Sequence, residues 1–342
     1  MNRRSFIQFG SSTTLGILLS PSPILNTINH LNTMHYPVII IGGGPAGMSA
    51  ALVLGRSTIN TLLINSENAR NKVTTHSHGF LTQDGKHPKE IFNTAREQLS
   101  KYPSVHYRKD SVIDVKKQDR GYLVRTAKEQ FTADRILLAT GHRDQIEKIN
   151  IPGLTEVYGT SIYPCPFCDG FELSNKALAV IGDADMAPMF AKTIFHWSKD
   201  LHVFTNGAPI KNSSLKKALK ANGVQYFEQK ISKLHAIEGK LTAIELADGQ
   251  HIPREGGFLP DTLAIESSPF AKALGLPTET GVFGMEYYQT DEHFESPLPG
   301  CFIIGDAQNG WSGIAGAVAA GSTAAAAITH QIIDENWIAV SD

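Results

Sequence analysis

A chain of 342 residues is long enough to bury two hydrophobic cores. Hydrophobic residues at 42% and charged residues at 19% match a globular protein, and a net charge of -2 without basic runs argues against a nucleic-acid surface. Three cysteines are too few for a disulfide scaffold.

The chain opens Asn2-Arg3-Arg4-Ser5-Phe6-Ile7-Gln8, runs apolar and small from Gly10 to Leu19, and breaks at Pro21 and Pro23. Paired arginines before such a run resemble a twin-arginine export signal, so residues 1-33 read as a leader and the protein as exported, periplasmic in a bacterium. The run is too short and too rich in Ser and Thr for a stable membrane span. The alternative is a cytoplasmic protein starting at Met34, just before Tyr36.

Val38-Ile39-Ile40-Ile41 reads as a parallel strand buried on both faces. It enters Gly42-Gly43-Gly44-Pro45-Ala46-Gly47 and then a helix of small residues. In Gly42-x-Gly44-x-x-Gly47 the first glycine makes the turn, the second lets pyrophosphate approach the backbone, and the third lets helix and strand pack closely. Pro45 and Ala46 belong to this cofactor-binding motif, and the N-terminus of the helix that follows faces the phosphates. The second strand, Thr61-Leu62-Leu63-Ile64, ends at Asn65, where an acid usually binds ribose. Asn65 or Glu67 takes that role.

Tyr163-Pro164-Cys165-Pro166-Phe167-Cys168-Asp169-Gly170 carries the redox chemistry. Two cysteines at this spacing at a helix start form a readily reduced disulfide. Asp169 is placed to shuttle the proton that exchange releases or demands. No second Cys or His pair at matching spacing completes a structural zinc site.

A second Rossmann unit begins at Ala177-Leu178-Ala179-Val180-Ile181, but Gly182-Asp183-Ala184-Asp185-Met186-Ala187 keeps only the first glycine. Ala184 puts a methyl where pyrophosphate should touch backbone, and two aspartates put negative charge beside it. The fold is expected to persist and tight NAD(P)H binding to be lost. Downstream, Cys301-Phe302-Ile303-Ile304 reads as a buried strand holding an inert thiol. It ends in Gly305-Asp306, which places Asp306 beside the ribityl chain of a flavin, and an Ala- and Gly-rich helix follows from Gly313 to Ile328.

The order of glycine-rich motif, Ala139-Thr140-Gly141 strand end, Cys-x-x-Cys-Asp-Gly, second Rossmann unit and terminal Gly-Asp resembles the low-molecular-weight thioredoxin reductases, FAD-dependent pyridine nucleotide-disulfide oxidoreductases, from about Tyr36 to Ile332. The resemblance implies FAD as cofactor, Cys168 facing the flavin, Cys165 exchanging with substrate, Asp169 as acid/base, and a homodimer. It also implies an FAD domain (36-146 and 258-335) with a second, NAD(P)-binding-like domain (147-257) inserted into it and carrying the cysteine pair. The segment from Arg70 through His76-Ser77-His78-Gly79 resembles the branch that includes dithiol oxidases of disulfide-containing natural products, and places His76 and His78 near flavin or substrate. NADPH users of this family carry a basic cluster after the second strand of the inserted unit, where this chain has Thr205-Asn206-Gly207.

The expected protein is therefore α/β, with two Rossmann-like domains. It passes electrons between FAD and Cys165/Cys168, oxidising a small dithiol with oxygen or another non-nicotinamide acceptor. The rivals are an NADPH-dependent reductase of a thioredoxin-like protein and a flavin-binding redox sensor that is not an enzyme.

Overall fold

The aliphatic run near the start has no polar alternation because both of its faces are covered. In a computed structural model that describes residues 33-280, 286-310 and 312-337, strand β1 (Met34–Ile41) lies between two parallel neighbours, β2 (Thr61–Asn65) and β6 (Gln130–Leu138). Val38 and Ile40 point into one core with Leu54, Leu63 and Phe302. Ile39 and Ile41 point into another with Tyr122, Phe131 and Ile136. Strand β3 (Val105–Lys109) extends the sheet beyond β2, while β4 (Val112–Lys117) and β5 (Tyr122–Thr126) form an antiparallel meander onto β6.

Strand β6 serves two partners. Its first half, Gln130 to Ala133, pairs with β5, and its last residues, Ile136 to Leu138, pair in parallel with Cys301–Ile303. That second pairing returns the late part of the chain to the first sheet. Cys301 is buried there, and burial pushes its thiol up to about 12. The helix that follows runs Gly313–Asn336, two turns beyond the expected end at Ile328. It packs against helix α1 (Pro45–Arg56) so closely that a Cβ on Gly321 would lie 2.1 Å from the Ala46 carbonyl oxygen.

A second, all-parallel sheet has the order Gln225–Phe227, Leu201–Phe204, Leu178–Ile181, Gly256–Phe258, Ile162–Tyr163. A three-stranded antiparallel sheet (Ile231–Ile237, Lys240–Leu246, His251–Pro253) shares a core with it through Leu234, Ile244 and Phe204. The short antiparallel ladder between His142–Arg143 and Ile265–Glu266 joins the outgoing and returning chain. Phe258 is fully buried in the second sheet, so the return crossing follows Phe258 and does not begin at it. The leader reading, residues 1-33, lies outside the described residues except for Thr33. No helix among the described residues is long and apolar enough to cross a membrane.

Candidate active site

The turn after β1 is built by steric necessity. Gly42 has φ +107°, and a Cβ there would lie 2.3 Å from the Ala139 carbonyl oxygen. A Cβ on Gly47 would sit 1.9 Å from the carbonyl oxygen of Gly42. Gly44 caps helix α1 with Pro45 at its first turn, and a Cβ there would meet nothing within 4 Å. It opens onto a cavity of about 1760 Å³. Gly42, Gly44, Pro45 and Ala46 border that cavity. Gly47 packs behind its wall, and so does Gly305, whose Cβ would lie 2.9 Å from that of Ala46.

At the end of β2, Asn65 is buried and donates to the Tyr107 hydroxyl (3.1 Å) while accepting the Glu67 backbone N–H (3.1 Å). The Tyr107 hydroxyl donates to Glu67 (2.9 Å), and Lys109 lies 2.5 Å from the same carboxylate. The Lys109 hydrogen bond holds the Glu67 carboxyl below its usual range. Asn65 thus fixes the turn, and Glu67 stands in the cavity wall with its charge already balanced. Asp306 borders the same cavity, accepting the Ser312 hydroxyl (2.6 Å) and lying 3.5 Å from Arg70.

Cys165, Cys168 and Asp169 line the same cavity. Cys165 caps the short helix Pro166–Asp169, and both cysteines are free thiols. The Cys165 thiol is lowered to about 7, chiefly by the hydrogen bond from Cys168, with backbone N–H groups of Cys168 and Phe167 adding to it against the effect of burial. Cys168 shifts the opposite way because it holds the shared proton. The Asp169 carboxyl is pushed up to about 7 by burial, with the charge of Cys165 adding to it. A thiolate at Cys165 and a proton carrier at Asp169 therefore coexist at neutral pH.

His76 and His78 border the cavity and stack on one another, ring centroids 6.2 Å apart. His78 lies 3.6 Å from both Asp84 and Glu172, the latter four residues beyond Cys168. Two further cavity groups, Ser77 Oγ and His142 Nδ1, are buried without a hydrogen-bond partner among the described residues. A polar ligand in the cavity would satisfy both. With the open glycine cradle and the dithiol on the walls of one cavity, these groups fit an FAD held there. Trp311, in the loop before the last helix, lies outside the described residues.

The chain's reading from sequence missed one network. Arg70 donates to Asp144 through Nε (3.1 Å) and Nη2 (2.7 Å). Tyr158 (2.8 Å) and Thr262 (2.6 Å) donate hydroxyl hydrogen bonds to the same carboxylate. Burial alone would raise the Asp144 pKa, but Arg70 together with the Thr262 and Tyr158 hydroxyls outweighs it and holds the carboxyl below its usual range. The four residues sit on four separate segments, so local spacing gave no sign of them. An Arg at the cavity edge and an Asp three residues beyond Gly141 were the only signals.

In the second Rossmann unit, the Asp183 carboxylate accepts the backbone N–H groups of Asp185 (2.9 Å) and Met186 (2.6 Å). These are the donors at the start of helix Met186–Ile194 that a bound pyrophosphate would use. Asn206 is turned inward to accept the Ile231 N–H (3.0 Å).

The sequence matches the pyridine nucleotide-disulphide oxidoreductase family over residues 36–324. Among similar proteins, thioredoxin reductase aclD of Aspergillus oryzae is 28% identical over 311 residues, 87% of this chain and 96% of its own. The crystal structure of a putative thioredoxin reductase, TrxB, from Bacillus anthracis superposes with a TM-score of 0.82 at 32% identity, covering 88% of this chain and 100% of that one. An oxidoreductase from Agrobacterium tumefaciens superposes with a TM-score of 0.79 at 34% identity, covering 88% and 99%. With the glycine cradle and the paired cysteines lining one cavity, the chain belongs to the pyridine nucleotide-disulphide oxidoreductase family and is an FAD-dependent, thioredoxin reductase-like oxidoreductase.

Proposed function

We propose that the protein oxidises a small dithiol at Cys165/Cys168 and passes the electrons to an acceptor other than a nicotinamide, molecular oxygen first among them. The carrying observation is Asp183, whose carboxylate caps the helix at which a second dinucleotide would place its pyrophosphate. A phosphate there would displace that cap and face the charges of Asp183 and Asp185, a penalty between about 1 and 4 kcal/mol per charge pair at about 4 Å.

The exchange chemistry follows from the two thiols. In the disulfide form, a substrate thiolate attacks Sγ of Cys165, the Cys165–Cys168 bond breaks, and Cys168 leaves as thiolate. The second substrate thiol attacks its own sulfur in the mixed disulfide. The substrate disulfide forms, and Cys165 leaves. Two electrons and two protons now reside on the pair, the geometry in which both thiols are free. Asp169, with its carboxyl at about 7, takes a proton from the incoming thiol and returns it to the leaving one. When bound, FAD supplies the two-electron acceptor beside the pair. With oxygen as terminal acceptor, one dithiol and one O₂ give one disulfide and one hydrogen peroxide.

An NADPH-dependent reductase of a thioredoxin-like protein is the second reading, favoured by the names of similar proteins such as aclD. An oxygen electrode with a dithiol substrate separates the two. One O₂ consumed and one peroxide formed per dithiol, lost in Cys168→Ser with flavin retained, supports the oxidase. NADPH-driven disulfide reduction faster than dithiol oxidation overturns it. Export through the Arg3-Arg4 leader fits this direction of electron flow, because thiols outside the cytoplasm meet an oxidising environment.

A further inference from the structure

On the three-stranded antiparallel sheet, Glu245 lies directly opposite His251, and His235 lies opposite Ala243, two residues from Glu245. Side chains alternate along a strand, so all three project from one face. His235 Nε2 lies 2.8 Å from Glu245 Oε2, and His251 Nε2 lies 3.9 Å from the same oxygen. The imidazoles stack with centroids 5.0 Å apart, and the three candidate ligand atoms all fall within 4.8 Å of one another. None of these residues borders the redox cavity.

We propose that His235, Glu245 and His251 form a binding site for a divalent transition metal of the zinc class. Zinc bonds of about 2.0 to 2.2 Å in a tetrahedron place ligand atoms about 3.3 Å apart, and the two observed separations bracket that value. A metal would need Glu245 to leave its hydrogen bond with His235 by only a few tenths of an ångström. Two imidazoles and one carboxylate select zinc, copper or nickel over magnesium and calcium, which take oxygen donors. The ligands stand on paired strands and not on a loop, so little conformational freedom is lost on binding. A β-bulge between His235 and Ala236 bends the first strand next to its ligand. Lys233 lies opposite Glu245 on the neighbouring strand. Three protein ligands leave a fourth position for water or an outside ligand.

The test is equilibrium dialysis of the flavin-loaded protein against zinc, with Cys165 and Cys168 kept as the disulfide so that no thiolate competes. One zinc per chain is expected, with affinity reduced at least tenfold in His251→Ala and in Glu245→Gln, and the site lost in the His235→Ala/His251→Ala double variant. Zinc is also expected to raise the melting temperature of the wild type and not of the double variant. Unchanged flavin content and metal-free melting temperature establish that each variant is folded, and Glu245→Gln decides the matter if the double variant is not. A wild type that retains no zinc overturns the proposal, as does a double variant or a Glu245→Gln variant that binds zinc as the wild type does.

Discussion

Replacing Asp169 with Asn removes a proton carrier while keeping the shape of the side chain, and it has two separable consequences. The carboxyl is raised from 3.8 to about 7, first by burial and then by the charge of Cys165. Its folded-state pKa lies above the unfolded value, so the folded protein binds the proton more tightly. Wild-type stability therefore falls as pH rises from about 4 to about 7, by as much as about 4 kcal/mol at 1.36 kcal/mol per pH unit. In the disulfide form the contribution of the Cys165 charge is absent, which leaves burial and the charge of Glu172, together about 1 to 3 kcal/mol. Urea unfolding of the oxidised protein should show Asp169→Asn more stable than wild type by that amount at pH 8 and equal to it at pH 4. The same variant should lose about 10² to 10⁴-fold in dithiol turnover, with the limb near pH 7 reduced to that of the Cys165 thiol. Equal stability at pH 8 would refute the burial argument. A retained limb near pH 7 with undiminished turnover would refute the role of Asp169 as proton carrier.

Other substitutions test the remaining walls of the site. Gly47→Ala forces a methyl against the Gly42 carbonyl oxygen, 1.9 Å away, and should yield protein that is insoluble or free of flavin, a cost above about 3 kcal/mol. Gly44→Ala meets no atom within 4 Å, so metal- and flavin-free stability should be unchanged while flavin affinity, measured by release during ultrafiltration, falls at least about tenfold. Asp144→Ala leaves the half-buried Arg70 with only Asp306, 3.5 Å away, and should cost about 1 to 3 kcal/mol at pH 7 by urea unfolding. Because the Asp144 carboxyl is held below its usual range, its contribution is present above that range and lost as pH falls through its depressed folded value, so the difference between variant and wild type should shrink in acid. Replacing Arg3 and Arg4 with lysines should leave the protein in the cytoplasmic fraction of a bacterial host if the leader is of the twin-arginine type.

Much of the first sheet was legible because its signals are local. Val38 to Ile41 is aliphatic at every position because both faces are covered, and the glycines after it are demanded by contacts within a few residues or one strand away. The cysteine pair was legible for the same reason, since its spacing is its chemistry. The Arg70–Asp144–Tyr158–Thr262 network was not, because its hydrogen-bonded pairs lie up to 118 residues apart and each member is ordinary in its own segment. The charge of Asp183 was legible, but its use as the cap of its own helix was not, since that depends on the backbone turn. The last helix outran its expected end because no glycine or proline follows Ile328 to stop it, and it continues to Asn336. Phe258 was assigned to the returning segment because an aromatic at a crossing looks the same as an aromatic in the last strand of the second sheet.

The central claim is the direction and source of the electrons. Flavin-loaded protein lacking residues 1-33 should be mixed anaerobically with a small dithiol, NADPH or NADH, and the oxidised flavin band followed in a stopped-flow instrument. The account predicts that the dithiol bleaches the band and that neither nicotinamide does so at micromolar concentration. Rapid bleaching by NADPH with no response to the dithiol would contradict it, and would mean that Asp183 yields its helix to a second dinucleotide.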